Sequence, residues 1–536
     1  MVSRPADFVR RLTLLLLLAF ALLLPGVAGT AQSASPTTQQ PAAQSGTPSR
    51  EERRISSEEA RELLDSVDEV LKFDSQNTGL PIRHDVKRSL AGRQQVENYI
   101  QRRLRDDEDA ERLRNANSVL KKFGLFPRDF DLESFLVQLM GEQVAGYYDT
   151  DTKTVYLLDW LPPETQQPVM AHELVHALQD QNFGIEKWVR KADAHKQSGE
   201  KQVASDEATA ARHAIIEGQA MAVMVDFLLQ PIHGSLVNSP LMAQALEQGM
   251  LQGSDSPILA RSPLYLRQLL LFPYSYGLNF VRELLVHRGK EGAFRDIFKH
   301  PPKSTREIMQ PETYLAGEKL PALHLPNFES LIGPGYQFFD MGSFGQFDTS
   351  VLVQQFGAEP KTNLSGSGSD QNQNHAGTAV PVNAASQPQQ TGNEAEVADP
   401  KQPPLWSHWR GGYYYAARRK AGATAAPAVE LPTSDVALVF VSRWDTPQAA
   451  SEFARIYRAS VPKRYRAVST PADPPSACAG CDSSALASSP ATADHSWQTD
   501  EGPVSIEVHD DLVVAIESFP AETAAKMRSA ILKAAD

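Results

Sequence analysis

The run Val169-Met170-Ala171-His172-Glu173-Leu174-Val175-His176-Ala177-Leu178 constrains this chain more than any other stretch. It contains no glycine or proline, and its only polar residues are His172, Glu173 and His176. The pattern predicts a helix. Residues i and i+4 lie one above the other on a helix, so His172 and His176 point the same way and can share one metal ion. Glu173 stands beside them, placed to hold a water and take its proton. The alternative is an amphipathic helix with two surface histidines. Pro168 precedes the run, where a helix start tolerates proline. Asn182 and Gly184 follow it, where helices stop. Gln179 and Asp180 continue the histidine face. Asp180 is a candidate to orient an imidazole, or a solvated carboxylate at a helix end.

The next long helical pattern, Asp206 to Leu229, carries Glu217-Gly218-Gln219-Ala220. A catalytic zinc site commonly takes two histidines and one glutamate and leaves a fourth position open. Glu217 is the expected third ligand, with His213, one turn earlier, as its rival. His195 and His233 fall in expected loops. The residues together predict a zinc-dependent peptidase site with Zn2+ as cofactor.

Composition narrows the partners. The 536-residue chain carries 52 basic and 65 acidic residues, a net charge of −13. That balance disfavours nucleic acid as a partner and favours a soluble protein; the peptidase reading itself implies a peptide or protein substrate. Arg4, Arg10 and Arg11 precede the apolar run Leu12–Leu24. Pro25 and Gly26 break it, and Gly29-Thr30-Ala31 offers small residues for cleavage. Residues 1–31 therefore read as a signal peptide of an exported protein, periplasmic or secreted, with no stable membrane span in the mature chain. Cys478 and Cys481, in a Pro/Ser/Ala-rich loop, read as a local disulfide.

The remaining chain divides by pattern. Residues 32–54 read as a disordered linker. Residues 55–360 read as a mostly helical domain. In it, a capping box at Ser56-x-x-Glu59 opens a helix through about Leu71, and helical patterning resumes from Lys87 to Lys122 and from Phe130 to Gln143. Val144 to Leu158 breaks the helical series with an expected hairpin, either a substrate-binding edge or a structural hairpin on the metal helix. Residues 190–205 read as a loop. Phe338 to Phe356 is apolar and aromatic. Residues 361–404 are a low-complexity insertion. Residues 405–536 read as an α/β module: a strand within Trp406–Lys420, a strand at Val436–Val441, a helix opened by Thr446, two strands around Asp510-Asp511, and a helix from Pro520 to Ala535.

His172-Glu173-x-x-His176 followed by Glu217-Gly218-x-Ala220 resembles the gluzincin metallopeptidases of the peptidase MA-like group. Tyr274-Ser275-Tyr276-Gly277-Leu278-Asn279-Phe280 is similar to their Tyr-x-x-Gly segment. Pro302-Lys303-Ser304-Thr305-Arg306-Glu307-Ile308-Met309-Gln310-Pro311-Glu312-Thr313-Tyr314 resembles the segment that closes the catalytic region in exported bacterial members. The resemblance covers roughly Val144 to Leu315. It implies an α+β fold: a zincin-like metallopeptidase domain with a substrate-edge hairpin, followed by the smaller α/β module. It also implies zinc on His172, His176 and Glu217, Glu173 as general base, and Tyr274 as hydrogen-bond donor to the oxyanion, with Tyr276 as the alternative. Either tyrosine could instead be a core residue with a satisfied hydroxyl. One position departs from the thermolysin-like pattern: Met221 stands where that pattern has an aspartate, which leaves Asp206 and Asp180 as candidates to support the ligands. The competing readings are a catalytically inactive binding protein on a peptidase-like fold, and another zinc hydrolase such as a peptidoglycan amidase.

Overall fold

The computed structural model describes residues 54–104, 107–191, 200–242, 244–245, 257–357, 403–420, 431–469 and 495–535. The expected signal peptide, all of the expected linker but residue 54, the low-complexity segment up to residue 402, His195, Cys478 and Cys481 lie outside the described residues. The fold is mixed α+β with two sheets among the described residues.

Ser56 and Glu59 form the expected capping box: Ser56 Oγ accepts from the Glu59 N–H at 3.2 Å, and Glu59 accepts from the Ser56 N–H at 2.7 Å. The helix it opens breaks at Ser66 into α1 (Ser57–Asp65) and α2 (Val67–Thr78). The expected helix from Lys87 starts instead as a strand, β1 (Lys87–Ala91). Five residues are too few for periodicity to separate strand from helix, and parallel pairing with a later strand decides the matter. Helices α3 (Arg93–Leu104), α4 (Asp107–Phe123) and α5 (Leu132–Gln143) follow. The expected hairpin is present as β2 (Gly146–Asp149) and β3 (Thr154–Leu158), turned through Lys153 at φ 56°. The small sheet has the order β1-β3-β2, so β2 is an edge strand.

The Val169–Leu178 run lies in α6 (Pro163–Phe183). Its first turn is set by Pro162 and Pro163, so Pro168 sits inside the helix and not at its start. Gly184, at φ 64°, ends it as expected. The buried Gln166 side chain pins α6 to β3: its oxygen accepts from the Leu158 N–H at 2.7 Å and its nitrogen donates to the Leu158 and Leu161 carbonyls. One face of α6 (Met170, Ala171, Leu174, Ala177, Leu178) packs on Leu63, Val67, Val70 and Leu71. After α7 (Ile185–Arg190) comes α8 (Glu200–Leu229), which starts inside the expected 190–205 loop. The stretch Asp206–Ile232, from within α8 to the turn after it, is long and apolar enough to cross a membrane by length and composition, yet 67% of its most apolar window is buried inside the protein. Packing by α6 on one side and by α10 on another accounts for that composition. The helices α9 (Pro257–Ala260), α10 (Leu264–Phe294), α11 (Thr305–Met309) and α12 (Pro311–Ala316) complete this part.

The second sheet is antiparallel throughout. Its strands are β4 (Tyr336–Ser343), β5 (Trp409–Arg419), β6 (Val436–Trp444), β7 (Val468–Ser469), β8 (His495–Thr499), β9 (Gly502–His509) and β10 (Leu512–Glu517), in the order β4-β5-β6-β10-β9-β8-β7. Helix α13 (Gln346–Gly357) follows β4, α14 (Pro447–Arg464) follows β6, and α15 (Ala521–Ala535) ends the described chain. Strand β6 is apolar on both faces because both are covered. Val436, Leu438 and Phe440 face the large core, while Ala437, Val439 and Val441 pack with Met527 and Ile531 of α15. Because β4 precedes residue 360 and pairs with β5 after it, the sequence boundary at 360 is not a boundary of this sheet.

Helix α4 joins the two parts. The Phe123 ring lies 4.7 Å from that of Phe344 and 5.5 Å from that of Phe440. Beside it, Arg464 pairs with both oxygens of Glu517 at 2.9 Å and donates to the Lys122 carbonyl. Tyr457 and Tyr465 also donate to Glu517. Burial works against a charge on Glu517, but Arg464 overrides it and holds the carboxyl below its ordinary range. Removing one partner of such a buried pair costs about 3–5 kcal/mol. Arg464→Leu is therefore expected to lower unfolding stability by about that amount, measured by denaturant titration.

A cavity of about 80 Å³ lies where α4, α8 and α10 meet β4 and α13. Asp206, Glu207, Asp340 and Asp348 line it. Thr305 donates to Glu207 Oε2 from both its backbone N–H and its hydroxyl, each at 2.9 Å. Burial, with Asp348 nearby, pushes Glu207 up to about 8 from 4.5. The folded state thus holds this proton more tightly than the unfolded chain does. The contribution of Glu207 to stability is full below about 4.5 and declines as pH rises toward 8. Glu207→Gln is expected to flatten that decline in a series of melting curves across this range.

Candidate metal centre

Helices α6 and α8 bring three donors to one point. The His172 and His176 rings, one turn apart, stand nearly perpendicular, with centroids 4.8 Å apart and Nε2 atoms 3.2 Å apart. Glu217 reaches across from α8, placing Oε2 3.2 Å from His172 Nε2 and 3.6 Å from His176 Nε2. Among the described residues this is the group of three whose donor atoms all lie within 4.8 Å of one another, and all three residues are buried. The surface-histidine alternative is therefore excluded. His213 is buried on α8 but outside the cluster, and His233 is exposed at a helix end.

The residues fit a metal ion on chemical grounds. Neither Glu217 oxygen receives a well-directed hydrogen bond, and a buried carboxylate in that position needs a cation. Burial opposes a charge on His176, but Glu217 overrides it and raises the imidazole to about 9. Burial likewise opposes a charge on Glu217, and His176 with His172 overrides it, lowering the carboxyl to about 2. Burial lowers His172.

The rest of the site comes from neighbouring elements. The Tyr148 N–H on β2 donates to Glu173 Oε2 at 2.8 Å. Burial pushes Glu173 up to about 8, partly offset by His176. Gly146, also on β2, lies against the same helix, since a Cβ there would sit 3.0 Å from Val169 Cγ1. The hairpin therefore runs along α6 beside Glu173. Tyr274 on α10 is buried with its ring 6.2 Å from that of His172. Burial and the charges of Glu217 and Glu173 hold its hydroxyl well above the ordinary range, so it keeps its proton. Tyr276 instead packs on Phe272.

Both aspartates expected to support the ligands are placed elsewhere. Asp180 accepts from the Tyr148 hydroxyl at 3.0 Å and from Lys153 Nζ at 2.5 Å, so it fastens the hairpin to α6. Asp206 lies eleven residues before Glu217 on α8, about 16 Å along the helix axis, and accepts from the Ser343 N–H. The His176 ring is held instead by Gln179, whose Oε1 lies 2.9 Å from Nδ1. Gln179 Nε2 donates to the Ile216 carbonyl at 3.0 Å and to Gln219 Oε1 at 2.8 Å. Gln219 Nε2 donates to the Ala293 carbonyl at 2.6 Å. Sequence reasoning placed Gln179 on the histidine face but gave it no role, and missed Gln219. The available signal was a glutamine one turn beyond His176 on the ligand face.

The glycines beside Glu217 and Tyr274 share one physical cause. A Cβ on Gly218 would lie 2.2 Å from the Gly277 carbonyl oxygen, and one on Gly277 would lie 2.2 Å from the Ala214 carbonyl oxygen. Helices α8 and α10 cross here backbone to backbone, which sets Glu217 and Tyr274 on the same site.

Comparison with protein-family models, curated proteins and solved structures gives no match. Gly277→Ala is expected to force the crossing apart. Overpacking of this kind costs about 1–3 kcal/mol. The melting temperature should fall, and metal uptake by the folded protein should weaken.

Proposed function

We propose that this chain is an exported zinc-dependent peptidase of gluzincin type. The observation that carries the reading is the convergence of His172, His176 and Glu217 with Glu173 and Tyr274 beside them. Two imidazoles and one carboxylate form a donor set suited to zinc, with room in its coordination for a reactant. When bound, zinc supplies the Lewis acid that polarises a peptide carbonyl and acidifies water at this site. Export rests on residues 1–31.

The chain's own residues divide the remaining work. The Tyr148 N–H fixes one oxygen of Glu173. The other oxygen takes the proton of the attacking water and later delivers it to the leaving amine. Tyr274 donates its hydroxyl hydrogen to the developing oxyanion, because a buried phenol between two carboxylates stays protonated. Strand β2, buried along its length, serves as the structural hairpin that holds Glu173 through the Tyr148 N–H.

Metal analysis and hydrolysis of a peptide library test this assignment together. The unsubstituted chain should bind about one zinc ion and cleave peptides. His176→Ala should lose the metal. Glu173→Gln should keep it while losing about 10²- to 10⁴-fold in turnover, the usual share of a general base. Full hydrolysis by Glu173→Gln, or no metal in the unsubstituted chain, would sink the reading.

A further inference from the structure

Two buried side chains beyond the ligands, Gln179 and Gln219, form a continuous path from His176 to the end of α10. We infer that Gln179 and Gln219 are positioning residues that lock His176 into the tautomer a metal requires, a conclusion that rests on the zinc reading above. The direction of every hydrogen bond along the path follows from its two backbone anchors.

A glutamine amide can present either its oxygen or its nitrogen, so its orientation must be fixed by a partner with only one role. Backbone carbonyls accept and never donate. At the far end, the Ala293 carbonyl takes a hydrogen bond from Gln219 at 2.6 Å, so the atom facing it is Nε2. This carbonyl lies in the last turn of α10, beyond the non-helical Gly289, where helix carbonyls lack partners along their own helix. Gln219 then turns Oε1 toward Gln179 at 2.8 Å, which requires a donor there. The Ile216 carbonyl, 3.0 Å from the same nitrogen, demands the same orientation independently. Gln179 must therefore turn its oxygen toward His176 Nδ1, at 2.9 Å. An amide oxygen only accepts, so Nδ1 carries the hydrogen. In a neutral imidazole that leaves Nε2 with its lone pair, and Nε2 is the atom facing Glu217 and His172.

Burial makes the path decisive. Gln179 and Gln219 have no measurable exposure and His176 has 1%, so bulk water offers no substitute partner when a link is removed. Losing the Gln179 oxygen would leave the Nδ1 hydrogen without an acceptor and favour the other tautomer, whose Nε2 hydrogen blocks a metal. The relay is also neutral. A carboxylate at position 179 would set a third negative charge in the pocket that already holds Glu173 and Glu217. The amide orients the ring without adding one.

Zinc affinity of the purified full chain, measured by competition with a chromophoric chelator, tests the relay against simple packing. Gln166 serves as the control, because it is an equally buried glutamine on the same helix that binds β3 and not a histidine. Gln179→Met is expected to lower zinc affinity by about 10- to 100-fold, the usual cost of losing a partner to a ligand histidine. Gln219→Met should lower it less, because the Ile216 carbonyl still orients Gln179. Gln166→Met should lower the melting temperature and leave zinc affinity unchanged. If Gln179→Met and Gln219→Met both bind zinc as tightly as Gln166→Met, the relay is overturned while the zinc reading stands. If Gln179→Met does not fold, Gln219→Met against Gln166→Met decides by the same comparison. An unsubstituted chain that takes up no zinc overturns the zinc reading and the relay built on it.

Discussion

Two helix backbones in direct contact govern the geometry of this protein. At the crossing of α8 and α10, Gly218 faces the Gly277 carbonyl and Gly277 faces the Ala214 carbonyl, with no space for a side chain between them. A normal helix pair stands 8–10 Å apart and fills the gap with side chains. Here the gap is closed, and the residues that flank it inherit fixed positions. Glu217 precedes one glycine and Tyr274 stands one turn before the other, so a backbone contact places both groups at one point. Helix α6 then supplies His172, Glu173 and His176 from a single face.

The site is buried because the elements around it are held by directional bonds as well as by apolar packing. Gln166 closes the joint between β3 and α6, and Asp180 fastens the hairpin through Tyr148 and Lys153. Each of these polar groups is inside or at the edge of the core, where an unmade hydrogen bond costs more than a made one contributes. The same logic governs Arg464 and Glu517 at the far end of α4, where burial of charge is tolerated because every oxygen has a donor. At the cavity beside Asp206, burial with Asp348 nearby makes Glu207 hold its proton.

Much of this was legible in the sequence where the cause is local. The i, i+4 histidines, the Ser56–Glu59 box, the turn at Lys153 and the apolar run of β6 each depend on a few neighbouring residues, and each is present as expected. Glu217, singled out because the chemistry of a two-histidine site narrows the third donor, does lie beside the two imidazoles. The failures have a common origin in distant partners. Strand β1 exists because β3 offers it a parallel edge. Asp180 and Asp206 sat at plausible spacings, but their hydrogen-bond donors, Tyr148, Lys153 and Ser343, come from other elements. Gln219 lies two residues from Glu217 in sequence, yet its hydrogen bond goes to the Ala293 carbonyl on a different helix. Pro168 looked like a helix start because the prolines at 162 and 163 that set the first turn could not be ranked against it. The division at residue 360 followed composition, whereas strand pairing ignores it.

That last feature bears on how the protein would respond to damage. The seven-stranded sheet takes β4 from one side of residues 358–402 and its other six strands from the far side, and Phe123 of α4 is seated among rings from both. Covalent continuity through that connection is therefore not what keeps the parts together. A chain severed there by a protease would stay assembled as a two-fragment complex, sharing one cooperative core, and the buried group of His172, His176 and Glu217, built wholly from residues before the break, would keep its shape.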